Sequence, residues 1–122
     1  MHIETVYLFP PNNRSILRRL SVEVPETIKE METGLSGRRN LESNYGMLFH
    51  FKGYRPVIWM KNTLIPLDIA FLDSEGRVLR IDLGVPMSLE RHIGPSGTKY
   101  ALETRAGVLA SLGVVPGWIV SL

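Results

Sequence analysis

Alternation between apolar and polar residues predicts a pair of strands at the start of the chain. Ile3 to Phe9 is rich in β-branched and aromatic residues and ends at the turn cluster 10–13. Leu17 to Val24 resumes the strand pattern, with Leu20, Val22 and Val24 alternating against Ser21 and Glu23. The two segments together predict a hairpin.

A short helix is predicted after this hairpin. Pro25 has a fixed φ that suits a first helical turn, and Gly34 is placed to cap the helix at its end. Ile28, Met31 and Leu35 follow the spacing i, i+3, i+7 and form one narrow apolar stripe. We expect such a short helix to pack on the edge of a sheet.

Strand patterns dominate from residue 46 onward. Six further strands are predicted, at Met47–Phe51, Val57–Met60, Leu67–Leu72, Arg77–Leu83, Lys99–Thr104 and Trp118–Val120. The turn at 73–76 joins two of them into a hairpin. The segment 89–98 contains Gly94, Pro95 and Gly97 and is predicted to be a loop, and 106–112 has helix-compatible spacing.

These elements predict a mainly β fold of the α+β class, in a single compact domain over residues 1–122. About eight short strands and two short helices favour a small barrel or a strongly curved antiparallel or mixed sheet. Residues 1–19 form its first strand and turn.

The composition of the chain limits the classes of protein to which it can belong. The chain has no cysteine, which excludes disulfides and thiol chemistry, and its net charge is only +2. The longest uncharged run, 106–122, is shorter than the ~20 residues of a spanning helix. The first residues carry no signal-peptide pattern, so we expect a cytoplasmic protein without membrane partners.

The most unusual segment runs from Trp59 to Phe71. Lys61, Asn62 and Thr63 lie together between two predicted strands, and Asp68 interrupts an apolar strand. Because burying an unpaired carboxylate is costly, Asp68 must be exposed, paired with a cation such as Lys61, or hydrogen-bonded to backbone amides.

Two interpretations of this segment stay open. One is a structural polar knot between two strands. The other is a small binding pocket floored by Trp59, in which Lys61 and Asn62 contact an anion or an amide.

Arg38 and Glu103 are further candidates for a binding site. Arg38 reaches either a carboxylate or a phosphate, or forms a solvated pair with Arg39. Glu103 is either an outward-facing strand residue or a carboxylate facing Arg38 or Lys61 across a cleft. If Asp68 approached Glu103, one of the two carboxyls would act as a general acid.

Other kinds of site find less support. His2, His50 and His92 have no second ligand at metal-binding spacing, so no metal and no cofactor is expected. Arg14, Arg18 and Arg19 cluster near the aromatic residues of the first strand, which permits a weak nucleic-acid contact or a solvated hairpin edge.

A resemblance to a known family rests on several motifs. They are the strings 46–49 (GMLF), 59–63 (WMKNT) and 66–69 (PLDI), with 22–24, 34–35, Arg38, 76–78, 100–103 and the glycines at 107, 113 and 117. Through these motifs the chain resembles the prokaryotic family called domain of unknown function 192. The resemblance covers about residues 20–122 and implies a compact, mostly β fold with a barrel-like core. It implies no activity.

The chain departs from the family pattern at three places. Ser36 stands where members often have methionine, Trp118 follows Gly117 where many have aspartate, and the leader that members often carry is absent. The last departure favours the cytoplasm for this member.

The sequence therefore predicts a non-catalytic β domain that binds a small polar ligand or a partner segment around Trp59–Asp68. The alternatives are a hydrolase or carbohydrate-active enzyme using Asp68 and Glu103, and a weak nucleic-acid binder using the arginine cluster.

Overall fold

Nine strands and two short helices make up the chain in a computed structural model that describes residues Met1 to Leu122. The strands are β1 His2–Phe9, β2 Arg18–Val24, β3 Tyr45–His50, β4 Val57–Ile58, β5 Leu67–Leu72, β6 Val78–Gly84, β7 His92–Ile93, β8 Tyr100–Arg105 and β9 Ile119–Val120. The helices are α1 Ile28–Thr33 and α2 Val108–Ser111. None of the helices is long enough to cross a membrane.

Seven of the strands form one mixed sheet in the order β6-β5-β8-β3-β2-β1-β9. Only β2 and β3 run parallel; the other neighbours are antiparallel. The two ends of the sheet meet, because the Val120 amide donates to the Gly76 carbonyl and the Val78 amide donates to the Trp118 carbonyl, both at 2.8 Å. This nearly closed barrel confirms the predicted fold class.

Gly76 is required where the barrel closes. Its φ is +83°, and a Cβ atom at this position would lie 2.1 Å from the Val120 carbonyl oxygen. Any side chain would therefore separate β9 from the start of β6.

Each face of the sheet has its own apolar core. The inner core fills the barrel and includes Leu8, Val22 and Leu102, whereas the outer core covers the opposite face and includes Met47 and Phe71. Strands β3, β5 and β8 supply alternate residues to both cores. Both of their faces are therefore buried, which explains their nearly continuous apolar runs.

The sequence expectations differ from the structure at three elements. Helix α1 starts at Ile28, because Thr27 caps it and Glu30 completes a capping box, whereas Pro25 precedes the helix. The helix lies over the outer face of the sheet, where Met31 and Leu35 pack into the outer core, and not on a sheet edge.

The predicted loop 89–98 contains strand β7, which pairs with β4 in a separate two-stranded sheet. Helix α2 is shorter than its predicted range and spans only Val108–Ser111.

Candidate functional site

A cleft of about 850 Å³ opens on the outer face of the sheet. One side is α1 and the residues that follow it, and the other side is the segment from Tyr54 to Thr63. The floor is formed by the sheet itself, through Phe49 and Glu103. We call this space the outer cleft.

The predicted polar segment forms one wall of the outer cleft. Trp59, Lys61, Asn62 and Thr63 all line it, and Glu103 lies at its floor. Of the seven residues predicted to bind a ligand, these five are brought together. The other two, Asp68 and Arg38, are outside the cleft.

Local backbone geometry shapes the turn that presents these side chains. Asn62 has a φ of +57°, a left-handed conformation that asparagine tolerates better than most residues. The Thr63 amide donates to the Met60 carbonyl at 3.0 Å and closes the turn.

The same turn is tied to the chain that follows α1. The Gly37 amide donates to the Asn62 carbonyl at 2.9 Å. The Ser36 hydroxyl donates to the Lys61 carbonyl at 3.3 Å. These bonds satisfy backbone carbonyls of the turn and hold it against the chain that follows α1. The Lys61 and Asn62 side chains of the turn are exposed.

Glu103 is the buried acid of the outer cleft. The residue is 4% exposed, and its register partners Met47 in β3 and Ile69 in β5 are 0% exposed. Burial among these apolar neighbours raises the pKa of the Glu103 carboxyl to about 8. At neutral pH the group is therefore mainly a neutral carboxylic acid.

No protein group donates to or accepts from the Glu103 carboxyl. Every side-chain polar atom that is wholly shut off from solvent has a hydrogen-bond partner. The Glu103 oxygens, which have none, therefore open into the outer cleft. The carboxyl group is available there to whatever enters.

Two cationic side chains lie over the half-exposed ring of Trp59. The Lys61 ammonium lies 5.2 Å from the ring centroid and the Arg91 guanidinium lies 6.0 Å from it. Cation–π contacts of this kind orient long side chains and contribute a modest stabilising free energy. Lys61 thus lies at the mouth of the outer cleft and does not contact Asp68.

Asp68 lies on the other face of the sheet. Its register partner in β8 is Thr104, next to Glu103, and successive strand residues face opposite sides. One Asp68 carboxylate oxygen accepts from the amides of Gly107 and Leu109, both at 3.1 Å. Asp68 therefore binds the first turn of α2, which is the amide alternative among those the sequence left open.

This placement separates the two carboxyls that were expected to form a catalytic pair. Asp68 belongs to the inner side of the sheet and Glu103 to the outer side. The structure therefore contains no Asp68–Glu103 pair around a common substrate position.

Arg38 binds a carboxylate, as one interpretation of the sequence expected, but the partner is Glu23 of β2. Both guanidinium Nη atoms donate to its two oxygens, one of them at 2.6 Å. The hydrogen bonds from Arg38 lower the pKa of Glu23, although burial opposes them. Arg38 is thus a structural partner, while Arg39 is exposed.

The arginine cluster of the first hairpin is mostly engaged within the chain. The Arg14 guanidinium lies 5.3 Å from the Phe9 ring centroid. The Arg18 Nε atom donates to the Leu112 carbonyl at 3.1 Å. Arg19 lies beside a small polar cavity. Arg14 and Arg18 therefore already have partners within the chain, although all three arginines are exposed.

One polar group was missed by the sequence reasoning. The Nδ1 atom of His92, a residue 8% exposed, lies 2.9 Å from the Asp82 carboxylate, and Arg80 bonds both oxygens of the same carboxylate. Burial would raise the pKa of Asp82, but the hydrogen bonds from Arg80 and His92 lower it. The alternation of β6, which places Arg80 and Asp82 on one face, was the available signal.

No group of three or more histidine, aspartate or glutamate side chains is arranged to hold a metal ion. The outer cleft combines one buried acid, several exposed polar residues and apolar walls.

The family model for domain of unknown function 192, described as Uncharacterized ACR, matches residues 11–122. The chain belongs to the domain of unknown function 192 family. The family match begins earlier than the resemblance seen in the motifs, since it includes the turn of the first hairpin and the first residues of β2. No curated protein matches the chain.

Two solved structures are similar to this member of the domain of unknown function 192 family over almost all of its length. A candidate transcription regulator from Sinorhizobium meliloti 1021 is 36% identical, with a TM-score of 0.90 over 98% of this chain and 93% of that chain. A protein of unknown function from Novosphingobium aromaticivorans DSM 12444 is 30% identical, with a TM-score of 0.88 over 98% of this chain and 85% of that chain.

Proposed function

We propose that this protein is a non-catalytic binding domain whose outer cleft holds a small ligand with an apolar body and one polar group. The observation that carries the proposal is the Glu103 carboxyl at the cleft floor. No protein group bonds this carboxyl, and its oxygens open into the cleft. A ligand that enters the cleft can therefore exchange a hydrogen bond with a side chain whose other neighbours are apolar.

The walls and floor of the outer cleft suit the apolar body of such a ligand. Phe49, Phe51, Tyr54 and Trp59 contribute aromatic surface, and α1 contributes Ile28. Ligand sites commonly measure about 300–1,000 Å³ and combine apolar walls with a few polar groups. The outer cleft, at about 850 Å³, has this size and composition.

The placement of the carboxyls favours binding over catalysis. Glycoside hydrolysis takes two carboxyl groups on either side of one bond. Asp68 is bound to α2 on the opposite face of the sheet from Glu103. A single acid at the floor of a cleft supports recognition of a ligand better than acid–base chemistry.

Nucleic-acid binding has less support in this chain. The relative from Sinorhizobium meliloti is described as a candidate transcription regulator. However, Arg14 and Arg18 are engaged with Phe9 and Leu112. Nucleic-acid-binding surfaces typically carry a basic patch or stripe, and the net charge of this chain is only +2.

The proposal is tested by NMR titration with two probes of the same shape, acetophenone and benzamidinium. We expect at least one of them to perturb the Trp59 indole and the amides that line the outer cleft. Removing an aromatic wall in Trp59→Ala should weaken that probe about tenfold, which corresponds to about 1.4 kcal/mol.

Tyr7→Ala is the matched control, because Tyr7 lies on β1 outside the cleft and is 42% exposed, close to the 43% of Trp59. Its affinity for the probe should equal that of the wild type. Perturbations scattered over the surface, or equal losses in both variants, would refute the proposed function.

A further inference from the structure

We propose that the ligand of the outer cleft ends in a hydrogen-bond acceptor, such as a carbonyl or carboxylate oxygen, and that the Glu103 carboxyl group donates the hydrogen bond to it. This inference rests on the proposed function and names the class of ligand. The competing class is an organic cation that pairs with an ionised Glu103. The two classes need opposite protonation states of one side chain.

The floor of the outer cleft favours the neutral form of the carboxyl. The side chains facing it from the two neighbouring strands, Met47 and Ile69, are apolar and 0% exposed. No cation lies within ion-pair distance of its oxygens, since Glu103 takes part in none of the ion pairs. With its pKa raised to about 8, the group has a proton to donate at neutral pH.

The next strands on either side, β2 and β6, contain acids that do not change the preference of Glu103 for its neutral form. In register with Ile69 lies Asp82 of β6, and in register with Met47 lies Glu23 of β2. Each of them is already bound to an arginine. Glu103 is thus the one acid of this row whose proton is available to a ligand.

Charges at the mouth of the outer cleft also disfavour a cationic ligand. Lys29 of α1, Arg55 and Lys61 line it, and the only other acid among the lining residues is Glu32 of α1. An approaching cation would meet a net positive rim and an uncharged floor. A ligand with an acceptor oxygen meets neither obstacle.

A neutral carboxylic acid held in an apolar site is a known physical means of donating a hydrogen bond at pH 7. Such a donor aimed at a carbonyl or carboxylate gains strength from the low local dielectric. Because the Glu103 oxygens open toward the cleft, this donor faces a ligand that enters there.

The experiment measures how probe affinity depends on pH. Acetophenone only accepts hydrogen bonds and is neutral throughout, whereas benzamidinium only donates and stays charged. For a pKa of about 8, the protonated fraction of Glu103 falls about tenfold between pH 7 and pH 9. We expect the affinity for acetophenone to fall by the same factor, about tenfold.

Variants assign this slope to Glu103. Glu103→Gln keeps a neutral side chain that donates, so acetophenone should still bind within about threefold of the wild-type value at pH 7, with no slope up to pH 9. Glu32→Gln is the matched control, because it removes the other acid of the cleft, and its slope should equal that of the wild type.

Three results would overturn the inference. The first is benzamidinium binding that tightens from pH 7 to pH 9 while acetophenone shows no slope, which identifies a cationic ligand. The second is wild-type affinity for acetophenone that does not change with pH when the affinity for benzamidinium does not change either. The third is loss of the slope in Glu32→Gln. All three leave the proposed binding function standing, whereas failure of both probes to perturb the cleft removes the proposed function itself.

Discussion

Burial of Glu103 predicts that the protein loses stability as the pH rises through neutrality. Above pH 4.5 the carboxyl ionises in the unfolded chain, while the folded protein keeps the proton until about pH 8. The unfolded state therefore binds fewer protons than the folded state in this window, and the free energy of unfolding falls with increasing pH.

The size of the loss follows from the two pKa values. Each pH unit between them is worth up to 1.36 kcal/mol. From pH 5 to pH 8, a pKa that moves from 4.5 to about 8 on folding lowers the free energy of unfolding by about 3–4 kcal/mol. That is a large fraction of the 5–15 kcal/mol typical of whole domains.

Glu103→Gln isolates this contribution, because glutamine has nearly the same shape and does not titrate. Urea denaturation of both proteins at pH 5, 6, 7 and 8 gives the difference in the free energy of unfolding at each pH. We expect near equality at pH 5 and a variant that is more stable by about 3–4 kcal/mol at pH 8. Groups that titrate in both proteins cancel in the difference.

Glu32→Gln serves as the control, since it removes an exposed acid of the same cleft and should follow the wild type at every pH. A constant difference between wild type and Glu103→Gln across the four pH values would refute the reasoning. It would mean that Glu103 is solvated in the folded protein and ionises normally.

Two structural carboxylates give further predictions. Asp68→Ala should lower the free energy of unfolding by about 2 kcal/mol, because the amides at the start of α2 lose a charged acceptor. Asp68→Asn should lower it by less, because asparagine keeps an acceptor oxygen. Urea denaturation of the two variants makes the comparison. Arg38→Ala should lower the free energy of unfolding by about 1–2 kcal/mol at pH 7. Because the pKa of Glu23 is lowered in the fold, that cost should shrink as the pH falls below 4.5, and a cost unchanged at pH 3 would contradict this account.

Local patterns predicted most of the strands correctly. The hairpin of β5 and β6 followed from apolar runs around a turn, because both signals are contained in adjacent residues. Strand β7 escaped prediction, because a two-residue strand between Glu90 and Gly94 has too little pattern of its own and exists through pairing with β4. The start of α1 was predictable in principle, since Thr27 and Glu30 have the spacing of a capping box.

The candidate site was predictable only in part. The sequence indicated Lys61 and Asn62 because three polar residues between two strands are unusual. It left Glu103 undecided, because alternation places that side chain on one face of β8 but does not show what covers the face. Asp68 was assigned to the same segment as Lys61, yet its partners lie at Gly107 and Leu109, a distance along the chain that no local pattern contains.

Closure of the barrel at Gly76 and Val120 has a consequence for how the protein is made. Strand β1 is synthesised first and pairs with β9, whose residues 119–120 follow 110 residues later. Until those residues leave the ribosome, β1 and the start of β6 present unpaired backbone edges. Ordering such distant segments is slow relative to local pairing. The hairpins can form during synthesis, but the inner core can be sealed only once residues 119–120 have been synthesised.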